Sequence, residues 1–198
     1  MPTRSYHAEP SCASPVRCPG ILIVQLRAPQ WKKRRRYECA LALKDVLHAY
    51  HVPLIIDDDL DIALACNADG VHVGQKDLPV HIVRKFLGPD KIVGLSINNE
   101  QQMSAVDPSV VDYVGVGPVF STTTKPDAEA ATGIDGLAKL MKLCPVPAVA
   151  IGGIKSHHIA EIAATGVQGV AVVSAICGQN DPLASARELS ELWKRFSN

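Results

Sequence analysis

The sequence predicts an α/β protein, a parallel (β/α)₈ TIM barrel whose first strand and helix are missing or replaced. From residue 21 onward, short apolar runs rich in Val and Ile alternate with stretches of helical periodicity. The short runs are apolar throughout, which is typical of parallel strands covered on both faces. Polar residues and glycines gather where these runs end, as they do at the active face of a barrel.

Seven apolar runs are predicted as strands, at residues 21–26, 53–56, 70–74, 92–96, 112–120, 147–153 and 169–174. Each is followed by apolar residues at helical spacing, which predicts helices at residues 36–50, 60–67, 78–87, 98–106, 134–143, 156–165 and 181–196. Pro79 suits the first turn of the third helix, because proline needs no amide partner there. Gly166 suits the end of the sixth helix, because glycine accepts the left-handed conformation.

The chain divides into an irregular segment, residues 1–20, and a barrel domain, residues 21–198. The first segment has neither a Val/Ile run nor helical periodicity, so one strand of eight is not recognised. Three explanations are open: a different start in a degraded member of its class, a neighbouring chain that fills the gap, or an irregular segment along the opening. The abrupt change of composition near residue 20 favours the first.

Composition excludes several classes of protein. The 198 residues are 47% hydrophobic and 20% charged, with 20 basic and 20 acidic side chains. A net charge of zero argues against nucleic-acid binding, so the basic run KKRRR at 32–36 is interpreted as a solvated helix face. No apolar run reaches the ~18–20 residues of a membrane span. Six cysteines without a CxxC pair indicate free thiols and a cytoplasmic location.

The last two predicted strands lead into segments suited to an anion. These segments are AIGGI (150–154) and GVAVVSAI (169–176). Glycine lets the backbone approach a ligand closely, and a helix that begins after Ser174 would direct its positive end at an anion. Barrels commonly bind phosphate at these two loops. The loop STTTK (121–125) adds hydroxyls and an ammonium group, which also suit phosphate.

Carboxylates follow two neighbouring predicted strands. The run IIDDDLD (55–61) holds four of them, and Asp77 follows the next strand. Mg²⁺ takes oxygen ligands, typically one or two carboxylates with phosphate and water. Asp58 and Asp77 are therefore the metal candidates, whereas Asp59 and Asp61 are interpreted as helix caps.

The histidines and serines do not by themselves form a recognisable catalytic motif. His72 lies within an apolar strand, where a histidine is more often part of the core than catalytic. His157 and His158 open a helix and are interpreted as surface residues. Ser96 lacks a G-x-S-x-G context, so the sequence does not support a hydrolase elbow.

Taken in order, these segments resemble the thiamine-phosphate synthase family. The matching runs are VQLR, PLIIDD, ADGVHVGQKDLP, VGLSINN, DYVGVGPVFSTTTKPDA, PAVAIGGI and GVAVVSAI, between residue 21 and about residue 196. The resemblance implies a transferase that joins 4-amino-5-hydroxymethyl-2-methylpyrimidine diphosphate to 4-methyl-5-(2-hydroxyethyl)thiazole phosphate with Mg²⁺, giving thiamine phosphate and pyrophosphate. It implies a dissociative reaction in which a pyrimidine methylene cation forms before the thiazole nitrogen attacks.

The resemblance also implies roles for particular residues. The implied ligands of the pyrimidine and its diphosphate are Gln25, His72, Ser96, Arg27 and Lys125, with Asp57 beside them. The implied Mg²⁺ ligands are Asp58 and Asp77. The implied contacts of the thiazole phosphate are Thr122, Thr124, Gly153, Val173 and Ser174. Catalysis is assigned to Arg27, Lys125 and Ser96 at the leaving group, and no protein nucleophile is needed.

Two positions depart from the family pattern. Pro29 stands where the family has a lysine in QLRxK, and Asp57 stands where it has the asparagine of IIND. Both changes make the diphosphate site more negative, so weaker diphosphate binding is expected.

Two other functions are open: a thiazole tautomerase-like enzyme on the same barrel, and a catalytically impaired phosphate-binding barrel. The retained Asp58, Asp77 and Lys125 argue against the tautomerase, which has no diphosphate to hold. Pro29, Asp57 and the unrecognised first strand argue for the impaired barrel. Assembly into a homo-oligomer stays open.

Overall fold

The computed structural model describes residues 22–122, 124 and 129–197, and in this part of the chain seven strands form one sheet. The strands are β1 (Val24–Leu26), β2 (Leu54–Asp57), β3 (Gly70–Val73), β4 (Ile92–Ile97), β5 (Tyr113–Val116), β6 (Ala148–Ile151) and β7 (Gly169–Ala171). They lie in chain order, and every adjacent pair is parallel. The predicted α/β class and parallel barrel-type topology are confirmed.

A helix follows each strand, as the apolar periodicity predicts. The helices are α1 (Lys33–His48), α2 (Leu60–Cys66), α3 (Val80–Leu87), α4 (Glu100–Ser104), α5 (Gly133–Met141), α6 (Ile159–Ala163) and α7 (Pro182–Phe196). A 3₁₀ turn at Ser156–His158 forms the first part of the predicted sixth helix. α1 begins earlier than predicted, because its basic first turn has partners in the neighbouring helix.

The contacts of the basic run at 32–36 differ from the interpretation made from the sequence. Arg36, partly buried, pairs with Asp59, and Lys33 pairs with Asp61 and lies 3.8 Å from Asp59. Asp59 occupies the N-cap of α2 without accepting a capping hydrogen bond from its own helix. Positive charge in a first turn opposes the helix dipole, and these carboxylates compensate it. Residues 32–36 are therefore not simply a solvated face, and Asp59 and Asp61 are not simply caps.

Three strands end two or more residues earlier than the apolar runs predict. β5 ends at Val116, β6 at Ile151 and β7 at Ala171. The apolar residues that follow leave the sheet, and some of them stay covered: Val119, for example, is fully buried. Burial under loops and strand pairing produce the same apolar pattern, so the sequence cannot separate them.

The core consists of two clusters of buried side chains, and each cluster combines strand residues with residues of the helices that pack on them. One cluster includes Ile97, Met103, Leu137 and Ile159, and a second includes Leu54 together with side chains of β3 and α3. In the register of the sheet, the clustered residues of adjacent strands lie opposite one another, so both clusters share the face that the helices cover. The core therefore holds the carboxyl ends of the strands in a fixed arrangement.

β1 and β7 are the outer strands of the described sheet, where β1 pairs with β2 and β7 with β6. The predicted irregular segment, residues 1–20, lies outside the described residues. Within the described ranges, no helix is both long enough and apolar enough to cross a bilayer. Burial raises the pKa of the Cys39, Cys66 and Cys144 thiols, so they behave as small apolar side chains.

Replacing Gly70 with alanine is expected to destabilise the fold by about 1–3 kcal/mol. A Cβ at Gly70 would lie 2.2 Å from the Ile92 carbonyl oxygen on the paired strand. Gly169→Ala is the matched control, because its Cβ would meet Val149 Cγ1 at an ordinary 3.5 Å. Urea unfolding of both variants tests this, and equal midpoints would contradict it.

Candidate functional site

The carboxyl ends of β1 to β4 bring the first group of predicted site residues together. Asp57 lies opposite His72 in the register of β2 and β3, and Gln25 lies opposite Ile55 on β1 and β2. Ser96 is near the end of β4 and contacts the His72 ring. Parallel strands place their carboxyl ends at one edge, so side chains far apart in sequence share one surface.

Asp57 pairs with two residues that were predicted to bind substrate. Its carboxylate lies 3.0 Å from Arg27 Nε and accepts a hydrogen bond of 3.1 Å from Gln25 Nε2. The Asp57 side chain is 11% exposed and that of Arg27 32%, so solvent screens this ion pair only in part. Asp57 therefore neutralises part of the positive charge of Arg27, which was expected to bind a diphosphate.

Asp58 and Asp77 form a pair of interacting carboxyl groups next to that ion pair. The pKa of Asp58 is raised to about 7, first by partial burial, then by the charge of Asp57, and then by a hydrogen bond with Asp77 and its charge. Arg27 opposes this shift. The Asp58 backbone has a φ of 61°, a conformation that is uncommon outside glycine and typical of functional turns. Asp77 accepts a 2.8 Å hydrogen bond from the Gly74 amide.

These two carboxyls suit a divalent cation. Repulsion among neighbouring carboxylates contributes to the raised pKa of Asp58, and a bound cation would remove that repulsion. The described residues contain no cluster of three or more His, Cys, Asp or Glu side chains arranged for a metal. Mg²⁺ needs no such cluster, since it commonly takes one or two carboxylates and completes its shell with phosphate and water.

A chain of hydrogen bonds runs through His72, which is 8% exposed. His72 Nδ1 lies 2.9 Å from the Tyr113 hydroxyl, and Nε2 lies 2.9 Å from Ser96 Oγ. Gly94 makes room for this contact, because a Cβ there would lie 2.4 Å from both His72 Nδ1 and the Tyr113 ring. Burial raises the pKa of Tyr113, and the charge of Asp57 adds to the effect, so the phenol stays protonated.

The loops after β5, β6 and β7 form the second part of the site. Gly152 and Gly153 have positive φ angles of 100° and 65°. A Cβ at Gly153 would lie 2.5 Å from the Ser121 carbonyl oxygen, so only glycine permits this approach of the two loops. Val173 and Ser174 are exposed at the start of a turn that precedes α7, and they are not part of a strand.

Three residues of the loop at 121–125 are described, namely Ser121, Thr122 and Thr124. Thr122 Oγ1 accepts a hydrogen bond of 3.2 Å from the Thr124 amide, which aligns this part of the loop locally. Thr122 is half-buried and Thr124 exposed. Lys125, the predicted ammonium of this loop, lies outside the described residues, so its placement stays a prediction.

Three further residues at this face were not singled out from the sequence. Tyr113 contacts His72, Gln75 Nε2 donates to the Ser96 carbonyl at 2.7 Å, and Asn98 Nδ2 donates to the Gly117 carbonyl. The sequence offers one indication of them, the glycines in the middle of β4 and β5, because a glycine within a strand often marks a place where another group approaches the backbone closely. Nothing in the spacing indicates which side chain makes that approach.

Comparison with known proteins identifies similar sequences. The model of the thiamine monophosphate synthase family matches residues 9–176. The chain is 50% identical over 173 residues to a thiamine-phosphate synthase of Laribacter hongkongensis, a match covering 87% of this chain and 82% of that protein. It is 46% identical over 175 residues to the Vibrio campbellii thiamine-phosphate synthase, covering 88% and 86%.

Solved structures show the same fold. The thiamine phosphate pyrophosphorylase from Pyrococcus furiosus superposes with a TM-score of 0.82 at 32% identity, covering 89% of this chain and 85% of that one. A 3-hexulose-6-phosphate synthase superposes with a TM-score of 0.65 at 21% identity, covering 86% of each chain. The second likeness shows the fold alone.

Proposed function

The chain belongs to the thiamine monophosphate synthase family, and from this we propose how the two parts of its site divide the reaction. It is a transferase, a thiamine-phosphate synthase, that joins the pyrimidine diphosphate to the thiazole phosphate and releases pyrophosphate. The observation that carries the assignment of its site is the convergence of Arg27, Asp58 and His72 at neighbouring strand ends.

The pyrimidine diphosphate binds at the ends of β1 to β4. Gln25 and His72 contact the pyrimidine, and Arg27 with Lys125 holds the diphosphate. Asp57 already occupies Arg27 Nε and Gln25 Nε2, so the substrate competes with this carboxylate for both groups. Guanidinium groups suit phosphate oxygens because they can donate two hydrogen bonds at once.

Asp58 and Asp77 are the proposed Mg²⁺ ligands. Their mutual repulsion and the raised pKa of Asp58 support a cation at this position. When bound there, Mg²⁺ supplies positive charge to the pyrophosphate leaving group. Asp57 is close enough to raise the pKa of Asp58, so it adds negative charge to the same position.

Bond cleavage precedes bond formation in the proposed reaction. The C–O bond between the pyrimidine methylene and the pyrophosphate breaks, and the pyrophosphate takes the electron pair. The thiazole nitrogen then donates its lone pair to the methylene carbon. Arg27 and Lys125 stabilise the charge that develops on the leaving group, and Ser96 lies beside it. The protein holds both substrates in line.

The thiazole phosphate binds at the loops after β5, β6 and β7. Thr122 and Thr124 supply hydroxyls, and the backbone at Gly153, Val173 and Ser174 surrounds the phosphate. The tight turn of Gly152 and Gly153 supports this assignment, because side chains there would fill the space between the loops.

The test of the function is an incubation of the chain with both substrates and Mg²⁺, in which thiamine phosphate is followed by fluorescence after oxidation. Product that disappears with EDTA is expected. Folded chain that binds both ligands without making product would support the impaired barrel. Turnover of the thiazole phosphate without release of pyrophosphate would support the tautomerase.

Tyr113 positions His72 in this proposal. The phenol stays protonated, and we assign the His72 tautomer in which the Tyr113 hydroxyl donates to Nδ1 and the proton on Nε2 is donated to Ser96 Oγ. The Ser96 hydroxyl proton then points away from the histidine and is available to the substrate. One buried phenol thus sets the direction of the whole chain of hydrogen bonds.

Replacing Tyr113 with phenylalanine is expected to raise the KM for the pyrimidine diphosphate and leave the KM for the thiazole phosphate unchanged. It also removes the hydroxyl that contacts buried His72 Nδ1, at a cost of about 1–3 kcal/mol. Tyr50→Phe is the control, because within the described residues its buried hydroxyl has no hydrogen-bond partner. Steady-state kinetics and urea unfolding test both variants, and equal behaviour would refute the positioning role.

A cytoplasmic location and assembly into a homo-oligomer are the remaining parts of the proposal. Within the described ranges, Cys39, Cys66 and Cys144 form no disulfide, which supports a reducing compartment. Sedimentation of the purified chain measures its assembly.

A further inference from the structure

We propose that Lys155 is a further ligand of the thiazole phosphate and determines the affinity of the enzyme for the phosphorylated thiazole. This inference rests on the proposed function and adds a residue to it. Lys155 lies two residues after Gly153, and its Nζ is 3.2 Å from Ser174 Oγ. Its ammonium group thus spans the loops after β6 and β7, the two loops that surround the proposed phosphate position.

The charge of Lys155 is available to a ligand. Within the described ranges, no carboxylate lies within 4.0 Å of its ammonium group. The side chain is exposed, and the Ser174 hydroxyl with which it forms a hydrogen bond is uncharged. A phosphate that contacts Ser174 would therefore meet an ammonium group at hydrogen-bonding distance from the same hydroxyl.

The Lys155 backbone is held from two sides. Its amide donates to His158 Nδ1 at 3.2 Å, and its carbonyl accepts from the His158 amide at 3.0 Å. The His158 ring stacks on Phe120 with the ring centroids 3.8 Å apart. Phe120 in turn donates its amide to the Gly152 carbonyl at 3.0 Å. His158 is thus not simply a surface residue.

The identity of the ligand follows from charge. A phosphate monoester carries close to two negative charges at neutral pH. Backbone amides and the hydroxyls of Thr122, Thr124 and Ser174 provide only neutral donors. An ammonium group adds a full positive charge, and a hydrogen bond to a charged group is about twice as strong as a neutral one. One ammonium group together with these neutral donors therefore suits the charge of a phosphate monoester.

Lys155→Met tests this assignment against Lys155→Arg and Lys142→Met. Lys142 is exposed at the end of α5, outside the site. We expect Lys155→Met to raise the KM and the calorimetric Kd for the thiazole phosphate roughly 10- to 100-fold. The KM for the pyrimidine diphosphate should stay unchanged, Lys155→Arg should recover most of the affinity, and Lys142→Met should match the parent.

The thiazole alcohol, which lacks the phosphate, distinguishes direct binding of the phosphate by Lys155 from a structural role of Lys155. Equal affinity of parent and Lys155→Met for the alcohol, together with weaker binding of the phosphate, supports the proposal. Equal loss for both compounds, or an unchanged Kd for the phosphate, overturns it. Failure of the parent to form product would refute the proposed function, whereas the calorimetric comparison would still decide the role of Lys155.

Discussion

Asp58→Asn is expected to lower turnover by about 10²–10³-fold, the usual cost of losing one electrostatic contact in a transition state. At pH 8 and without metal, the same variant should be at least as stable as the parent. Asparagine accepts the positive φ of this position better than most residues, so the backbone is preserved. A variant that is stable but inactive would show that Asp58 is needed for turnover and is not needed for folding.

The pH dependence of stability follows from the raised pKa of Asp58. Its pKa in the folded chain is about 7, against an ordinary value of 3.8, so the folded state binds the proton more tightly than the unfolded state. The stabilisation by this proton is fully present below the ordinary pKa and is lost as the pH rises through about 7. Asparagine resembles the protonated acid, so the variant avoids this loss.

Mg²⁺ should restore the stability that the parent loses when Asp58 ionises, but it should have little effect on the stability of Asp58→Asn. Thermal unfolding at pH 8 with and without Mg²⁺ measures this, because a ligand of the folded state raises Tm. Asp45→Asn, an exposed substitution on α1, is the matched control and should respond as the parent does. A Tm increase of equal size in Asp58→Asn and the parent would show that Asp58 does not hold the cation.

The second large effect is expected in the double variant Pro29→Lys, Asp57→Asn. Its KM for the pyrimidine diphosphate should fall about 10- to 100-fold, because two changes of charge each contribute on the order of 1 kcal/mol or more. The neutral amide introduced by Asp57→Asn would no longer neutralise Arg27, whose Nε lies 3.0 Å from the Asp57 carboxylate in the parent. The lysine introduced by Pro29→Lys would add an ammonium group near the end of β1.

The two single variants show how much each substitution contributes to the change in KM. Asp57→Asn alone releases Arg27 and Gln25, and it removes the second-largest cause of the raised pKa of Asp58. It should therefore lower the pH at which Mg²⁺ begins to stabilise the chain. Pro29→Lys alone should act only on the KM. A higher KM in Asp57→Asn would contradict the competition with substrate and would indicate that Asp57 itself holds the cation.

Local sequence patterns determined the class of fold and the edge of the sheet where the site lies. Runs that are apolar at nearly every position predict the strands of a parallel sheet, and the described part of the chain has seven parallel strands in one sheet. Because parallel strands end at one edge, Arg27, Asp58 and His72 are placed on one surface by their positions in the chain alone. Their roles toward substrate and metal remain predictions until the variants are measured.

Only the tertiary structure decided which side chains meet. Asp57 contacts Gln25 over 32 residues, His72 contacts Tyr113 over 41, and Lys155 contacts Ser174 over 19. Such contacts depend on strand register, on glycines that leave space and on loop conformation, none of which has a periodic signature. The sequence placed these residues at strand ends and starts, but the partner of each depends on how neighbouring strands bring distant side chains within hydrogen-bonding distance.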